Sequence, residues 1–353
     1  MKKLITLLMM KKNFVHIKRL FVMTMILVIT GSFVFAAGAG GLETKEVVTL
    51  EFSSNAAPRT PHGMGQLRYA EEVERLSDGT LKIKNYTAGE LYTQEAEVTA
   101  VRRGTLAMTL LGPEWFAEFA PFMEMFATPF FFKSPEHMYA VMNGEIGDEV
   151  YKRLAEQTGV RPLSTWLMGG PRELLVRDIG REIETPDDMR GVLLRMANTP
   201  FWLRMGESLG ADPTPVAITE TYLALQTGTV DAVEGPLTAI AARKFYEAAH
   251  TLYMTNHYLT PIMLSINEEI WQSLSADHQN VLMQAAVLTQ EYVDNIVEDL
   301  TQEAMDEIKA GGIHVVEIDQ SVWKDATLKF YNDKGFTKNF DWEMLEQIQA
   351  LAD

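Results

Sequence analysis

The sequence predicts an α/β protein with two lobes. Short apolar segments of strand length alternate with amphipathic segments of helix length, which is the pattern of a doubly wound sheet. The chain has 353 residues, enough to form two domains with separate cores. A helical pattern over residues 275–310 would be about 54 Å long at 1.5 Å per residue, so this helix would have to run across both lobes.

Composition excludes several classes of protein. Hydrophobic residues make up 47% of the chain and charged residues 22%, as in ordinary globular proteins, so global disorder is excluded. The net charge of −17 opposes binding to nucleic acid or anionic lipid, so an anion site must be a local basic pocket. The chain has no cysteine, which rules out disulfides, thiolate metal sites, a cysteine nucleophile and a lipid-modified cysteine.

Residues 1–36 predict a secretory signal peptide. They carry six basic residues and no acidic residue, and the apolar run Leu20–Phe35 precedes small residues at which a peptidase can cleave. The alternative is a membrane anchor, but the apolar run is short for a bilayer span and contains polar residues. We therefore expect an extracytoplasmic protein, with Met10 as an alternative translation start.

The first lobe begins with three strands separated by helices. Residues 48–52 alternate apolar and polar side chains, which predicts a strand with one buried face. A helix follows Pro61, and residues 81–84 alternate again as a second strand. Thr93 caps the next helix, and residues 106–111 form the third strand.

The loop Gly112–Phe116 follows the carboxyl end of the third strand, so it should face the ligand cleft. The run Met123–Phe132, rich in methionine and phenylalanine, predicts core packing under a loop, and Ser134 caps a further helix. Residues 161–167 are expected to cross between the lobes, and residues 260–267 to return to the first lobe.

In the second lobe, the apolar run Val192–Leu194 predicts a buried strand, and Arg195 follows it directly. A fixed charge at the carboxyl end of a buried strand is costly unless an anion meets it, and ligands of open α/β sheets bind at that end. Thr199 opens a helix that stops at Gly210, and Thr185 opens an earlier one.

A second helix is predicted from Thr219, as N-cap, to Gly228, and a third from Gly235 and Pro236, with proline at its first position. After the long helix, residues 315–318 predict a strand, and the tail beyond it is helical.

Six sequence motifs now carry a family resemblance. They are NYTAGELYTQEAEVTAVRRGTLAMT, GGPRELLVRD, LRMAN, LGADPTP, TETYLALQTGTVDAVEGP and KFYEAA. Over roughly residues 47–340 the chain resembles the DctP-like solute-binding proteins of TRAP transporters. The resemblance implies a periplasmic-binding-protein fold with a cleft between two lobes, no enzymatic activity, and delivery of a small organic acid to two TRAP membrane subunits by a monomeric protein. It also implies lobe I at residues 47–168 plus about 260–298, and lobe II at 169–259 plus about 299–353.

The arginines are the strongest candidates for a binding role. Arg172 and Arg195 lie beside strand-like segments, and a guanidinium group matches a carboxylate bidentately. The residues alone leave open that each pairs with a nearby acid such as Glu173, Asp187 or Asp188. The resemblance implies that Arg195 of LRMAN holds the ligand carboxylate and that Arg172 assists.

The resemblance supplies the remaining ligand-contact predictions, which are Asn55, Asn198, Glu234 and Gly235. Many members carry asparagine where this chain has Gly235, so that amide is absent here. Sialic-acid binders carry an acid at the position of Gly112, which argues against sialic acid. Glu114 and Trp115 lie close behind it, as a hydroxyl acceptor and a stacking face, although Trp115 fits rim packing equally well.

No sequence motif supports catalysis or a cofactor. The chain lacks a nucleophile elbow, a phosphate loop and a dinucleotide-binding glycine pattern, and its histidines lack zinc-site spacing. His257 fits a buried structural histidine better than a catalyst. Two alternatives remain at this point: a secreted hydrolase or lyase that uses cleft acids, and a sensory binding protein that presents its ligand to a receptor. The ligand remains open among sugar acids, C4-dicarboxylates and aromatic acids.

Overall fold

The computed structural model describes residues 47–351, so the predicted signal peptide lies outside the described part of the chain. The strands are β1 (Val48–Ser53), β2 (Leu81–Tyr86), β3 (Met108–Leu111), β4 (Val160–Val176), β5 (Leu193–Met196), β6 (Asp212–Pro215), β7 (Ala232–Pro236), β8 (Thr251–Asn267) and β9 (His314–Glu317). The helices are α1 (Pro61–Leu76), α2 (Gln94–Arg102), α3 (Glu124–Ala127), α4 (Pro135–Met142), α5 (Glu145–Thr158), α6 (Pro200–Ser208), α7 (Thr221–Thr227), α8 (Leu237–Ala242), α9 (Glu268–Ser273), α10 (Ala276–Ala310), α11 (Gln320–Asp333) and α12 (Trp342–Ala350).

The strands form one sheet in the order β2-β1-β3-β8-β4-β7-β5-β6, with β9 beside β8. Each half of the sheet contains three parallel strands arranged in the same way, β2-β1-β3 in one half and β6-β5-β7 in the other. In each half, the strand that comes first in sequence (β1 or β5) lies in the middle, as in a doubly wound unit. The α/β prediction and its two-lobed organisation are therefore confirmed.

Two 17-residue antiparallel strands, β4 and β8, join the halves. The amino-terminal part of β4 pairs with the carboxyl-terminal part of β8, which also pairs with β3. The pairing is irregular between Leu167 and Pro171, where Gly169 and Gly170 adopt φ values of 135° and 87°. The predicted crossings at residues 161–167 and 260–267 are segments of these strands, and the lobe boundaries at 168 and 260 stay a prediction.

The long helix α10 begins after Ser275, whose side chain accepts a hydrogen bond from the backbone N–H of His278. Its 35 residues span about 52 Å. It packs against α1 and β4 and, further along, against α8 in the second half of the sheet. The prediction of one helix running across both halves is confirmed.

Three apolar clusters form the core. One lies under the first half of the sheet around Phe52 and Trp166, and one lies under the second half around Leu225 and Ile240. The third and largest contains the run Met123–Phe132, so the prediction that this run packs in the core is confirmed.

Two helix starts in the second half differ from the prediction. Thr219 is not an N-cap, because Ile218–Glu220 form a 3-10 turn and α7 begins directly after it without a side-chain cap. Gly235 and Pro236 belong to β7 rather than to the third helix. The ladder between β7 and β4 extends through the pair Arg172–Pro236, so the strand continues where the sequence indicated a helix start.

Two further boundaries were wrong. Arg195 lies inside β5 rather than after it, since the ladder with β6 continues to Met196. The helix predicted to open at Thr185 is a 3-10 turn over Pro186–Met189, and it stops because the next residue is extended and Gly191 has a φ of 80°.

Helix α5 was not predicted. It lies between two glycines, Gly144 at its amino end and Gly159 in the left-handed conformation at its carboxyl end. The stop signal at Gly159 was therefore present in the sequence.

Candidate ligand-binding site

A cavity of about 70 Å³ lies where the carboxyl ends of β1, β3, β5 and β7 meet. Ligands of open α/β sheets bind at such a position. Since one water needs roughly 10–15 Å³, the cavity has room for several waters and is larger than a packing defect. Its walls combine aliphatic and aromatic side chains with a small number of charged groups.

Seven of the eight sequence-predicted residues line this cavity, namely Asn55, Glu114, Trp115, Arg172, Arg195, Glu234 and Gly235. The structure does not bring Asn198 to it. Asn198 is exposed and stands just before the Thr199 N-cap of α6, where the backbone N–H of Thr199 turns back to the carbonyl of Ala197.

Arg195 is a buried cation without an acidic partner in the part of the chain that the structure describes. It is 5% exposed, and its Nε donates a hydrogen bond of 2.8 Å to the carbonyl oxygen of Val216. No carboxylate oxygen in residues 47–351 lies within 4.0 Å of its guanidinium nitrogens. Burial lowers the pKa of Arg195 to about 10, so the group remains charged at neutral pH. An uncompensated buried charge of this kind predicts an anionic ligand.

Arg172 is held differently. Its Nε and Nη2 both donate to the carboxylate of Glu234, and the Nη2 hydrogen bond is 2.6 Å long. The two residues are 7% and 3% exposed. Burial opposes ionisation of Glu234, but the Arg172 guanidinium outweighs it and holds the pKa of this carboxyl below its usual range. The site therefore contains a preformed bidentate ion pair of the kind that stabilises buried charges.

The acids that the sequence offered as partners for Arg172 have other roles. Glu173 accepts a hydrogen bond of 2.8 Å from the backbone N–H of Asn256. Asp188 accepts hydrogen bonds within the Thr185 turn, and Asp187 pairs with Arg190 on the surface.

His257 lies behind the ion pair. Its Nε2 is 3.3 Å from an oxygen of Glu234, and its Nδ1 is 2.8 Å from the hydroxyl of Thr255. Burial lowers the pKa of His257, so the ring is neutral near pH 7. These contacts place it as a support for the Glu234 carboxylate.

Glu114 lies in the turn that follows β3 and is 4% exposed. The hydroxyl of Tyr258 donates a hydrogen bond of 2.9 Å to its Oε2. Burial raises the pKa of Glu114 to about 7. A β-carbon added to Gly112 would overlap the Glu114 carboxylate, so glycine is required there for the carboxylate to fold back over the backbone.

Three aromatic rings pack together beside Arg172. Trp115 and Tyr258 lie 6.3 Å and 6.4 Å from Trp202 between ring centroids, and the guanidinium carbon of Arg172 is 5.0 Å from the ring centroid of Trp202. Trp202 lines the cavity, and its buried Nε1 has no hydrogen-bond partner in the described part of the chain. Sequence reasoning missed Trp202, although its position in the first turn after the Thr199 cap was a usable signal.

Asn55 follows β1, and its Nδ2 donates to the carbonyl oxygen of Tyr92 at 3.3 Å. Beneath it, the hydroxyl of Ser53 donates a 2.8 Å hydrogen bond to Oε1 of Glu97, while Oε2 of Glu97 is buried without a partner among residues 47–351. Burial raises the pKa of Glu97 to about 8, so a neutral acid supports this wall.

Arg243, just after α8, is a second cavity residue that sequence reasoning missed. Its Nη2 donates a 2.6 Å hydrogen bond to the carbonyl oxygen of Asn55 in the other half of the molecule. No local pattern distinguished this arginine from a surface residue.

Neither metal ligation nor membrane insertion is indicated by the described residues. Within 47–351, no three histidine or acidic side chains are grouped closely enough to hold a metal ion. No helix in that range combines the length and apolarity needed to cross a bilayer.

A two-lobed sheet with a charged cavity at its carboxyl edge is the arrangement expected of a solute-binding protein. The chain belongs to the DctP family, the bacterial extracellular solute-binding proteins of family 7, whose model matches residues 52–337. Members of this family are binding proteins of TRAP transporters and not enzymes, so the hydrolase or lyase alternative is excluded.

Two relatives from one organism match this chain over most of their own length. A solute-binding protein of Roseobacter denitrificans is 32% identical over 297 residues, which is 83% of this chain and 90% of that protein. Its crystal structure with bound L-galactonate has a TM-score of 0.78 at 29% identity, covering 88% of this chain and 100% of that one. A second TRAP periplasmic solute-binding protein of that organism, with bound 3-deoxy-D-manno-oct-2-ulosonic acid, has a TM-score of 0.81 at 28% identity and covers 87% and 100% of the two chains.

Proposed function

We propose that this protein captures a small organic acid, of the sugar-acid or C4-dicarboxylate type, and delivers it to the membrane subunits of a TRAP transporter. The observation that carries the proposal is Arg195, a charged and buried guanidinium that lines the cavity without an acidic partner in the described chain. Relatives crystallised with L-galactonate and 3-deoxy-D-manno-oct-2-ulosonic acid support the carboxylate class.

In this proposal the ligand carboxylate pairs with Arg195. Arg172 contributes through its position, since Glu234 already occupies its Nε and Nη2. Asn55 and Glu114 contact ligand hydroxyls, and Trp115 and Trp202 pack against the carbon chain, with Nε1 of Trp202 as an additional donor. Closing the lobes excludes water and strengthens the charge pair.

The cellular setting is part of the same proposal. Residues 1–36 act as a signal peptide, and the mature protein works outside the cytoplasm as a monomer that does not bind nucleic acid. Lobe I comprises residues 47–168 plus about 260–298, and lobe II comprises 169–259 plus about 299–353. The net charge of −17 supports the nucleic-acid statement.

The test is a panel of organic acids and their uncharged amides, measured by thermal shift and calorimetry on wild type and Arg195→Met. We expect at least one acid to bind with a dissociation constant near micromolar, which corresponds to a binding free energy of about −8 kcal/mol. The amide of that acid should not bind. Arg195→Met should lower the affinity for the acid by about a hundredfold or more, since a buried charge pair loses one partner. The free energy of unfolding of the ligand-free variant should stay within about 1 kcal/mol of the wild-type value, because a cation without an acidic partner among the described residues is replaced by an apolar side chain of similar size.

Arg103→Met is the matched control, because Arg103 is exposed and does not line the cavity. Equal binding of acid and amide, or wild-type affinity in Arg195→Met, would reject the carboxylate role of Arg195.

A further inference from the structure

Three arginines line the cavity. One is paired with Glu234, and a ligand with a single carboxylate would neutralise only one of the other two. Arg172, Arg195 and Arg243 all line it, and among residues 47–351 the only acids on its lining are Glu114 and Glu234. The following inference rests on the proposed function and asks what kind of acid these groups fit.

The two acids do not neutralise Arg243. Glu234 is bound to Arg172, and Glu114 accepts from Tyr258 while burial raises the pKa of Glu114 to about 7. No carboxylate oxygen in the described chain lies within 4.0 Å of the Arg243 guanidinium nitrogens. As far as the described residues go, Arg195 and Arg243 therefore line one small cavity as two cations without an acidic partner.

The two cations also have separate anchors. Arg195 is fixed by its Nε to the carbonyl of Val216, and Arg243 is fixed by its Nη2 to the carbonyl of Asn55. Each anchor uses one nitrogen and leaves further N–H groups of the guanidinium for a ligand. Burial lowers the pKa of Arg195, and the positive charge of Arg243 lowers it further, so the two guanidinium groups repel each other and a ligand that neutralises only one leaves the other without a counter-charge.

We propose that Arg243 forms a second anion subsite, so that the preferred ligand carries an anionic group at each end of a short polar chain. L-galactonate and 3-deoxy-D-manno-oct-2-ulosonic acid each have one carboxylate, so this ligand differs from those of the two crystallised relatives. The alternative role of Arg243 is a latch that only ties the lobes together through Asn55.

The experiment measures calorimetric affinities of matched pairs of monoacid and diacid: galactonate with galactarate, gluconate with glucarate, and succinamate with succinate. For the tightest pair, wild type should prefer the diacid by about tenfold or more, the value of one charge-assisted contact. In Arg243→Gln the ratio should fall toward one, and in Arg103→Gln it should stay at the wild-type value. Arg243→Lys should retain part of the preference, since the charge remains.

Three outcomes would overturn the inference. Equal wild-type affinities for the two members of the tightest pair would reject the second subsite and leave the proposed function unaffected. A ratio unchanged in Arg243→Gln, with both acids weakened alike, would make Arg243 a latch. Failure of every acid in the panel to bind wild type would contradict the proposed function itself. Because the wild-type ratio requires no variant, the first outcome is readable even if Arg243→Gln folds poorly.

Discussion

Arg172 and Arg195 reach the same cavity from two strands that flank β7, and both are nearly excluded from solvent. Arg172 donates twice to Glu234, whereas Arg195 meets only a backbone carbonyl within the described chain. The difference separates two uses of a buried arginine. The paired one contributes to the structure of the empty protein, and the unpaired one is compensated only when an anion arrives.

The acids divide in the same way. On the wall of Arg172, an ion pair holds Glu234 ionised. On the wall of Asn55, burial without a cationic partner within the described chain holds Glu97 neutral, with its pKa raised to about 8. Glu234 therefore gains a proton only in strong acid, whereas Glu97 loses its proton only near pH 8.

The largest expected effect comes from breaking the ion pair. Arg172→Met leaves the Glu234 carboxylate buried and unpaired, so the free energy of unfolding should fall by about 3–5 kcal/mol. Urea denaturation at neutral pH measures this loss. The double variant Arg172→Met with Glu234→Gln should recover part of it, because the stranded charge is gone. A single variant within about 1 kcal/mol of wild type would show that the pair has no structural role.

A smaller effect concerns pH. Since the folded pKa of Glu97 is raised from near 4.5 to about 8, its protonated form stabilises the fold below about 4.5, and this contribution is lost as pH rises toward 8. Glu97→Gln should remove a slope of about 1.4 kcal/mol per pH unit from the unfolding free energy between pH 5 and 8. Denaturant titrations at several pH values measure the slope, with the exposed Glu71→Gln as control. An unchanged slope in Glu97→Gln would place the ionisation elsewhere.

The smallest expected effect on stability is at Gly235, on the paired wall. A β-carbon added there would lie 3.9 Å from Nη2 of Arg172 and meet no closer atom, so Gly235→Asn should change the unfolding free energy by less than about 0.5 kcal/mol. Because the new amide enters the cavity, it should reorder affinities across the acid panel. An unchanged order of ligands would show that the paired wall does not contact the ligand.

Local sequence signals predicted much of the fold, because strands, caps and glycine stops depend on neighbouring residues. Thr93, Ser134 and Ser275 all cap the helices expected of them, and Gly228 ends α7 in the left-handed conformation. The cavity side chains were found where they follow parallel strands, since the carboxyl ends of such strands meet at one edge.

Contacts between distant segments could not be predicted. The partner of Arg172 depends on the register of β4 against β7, which places Pro236 opposite Arg172 and Glu234 two residues away on the same strand. From the sequence alone, the candidate ion-pair partners of Arg172 were acids close to it in the chain, such as Glu173. Arg243 depends on a contact across the cleft to Asn55, 188 residues away, and no local pattern encodes it.

The irregular stretch of β4 has a mechanical consequence. Between the pairs Leu167–Pro261 and Pro171–Leu259, β4 contains three residues where β8 contains one. We expect the two extra residues of β4 to let the two halves of the sheet change their angle while the ladder on either side keeps its hydrogen bonds. Helix α10 has no such break and contacts both halves. The stiffness that opposes opening of the cleft is therefore expected to come from bending this helix and not from the sheet.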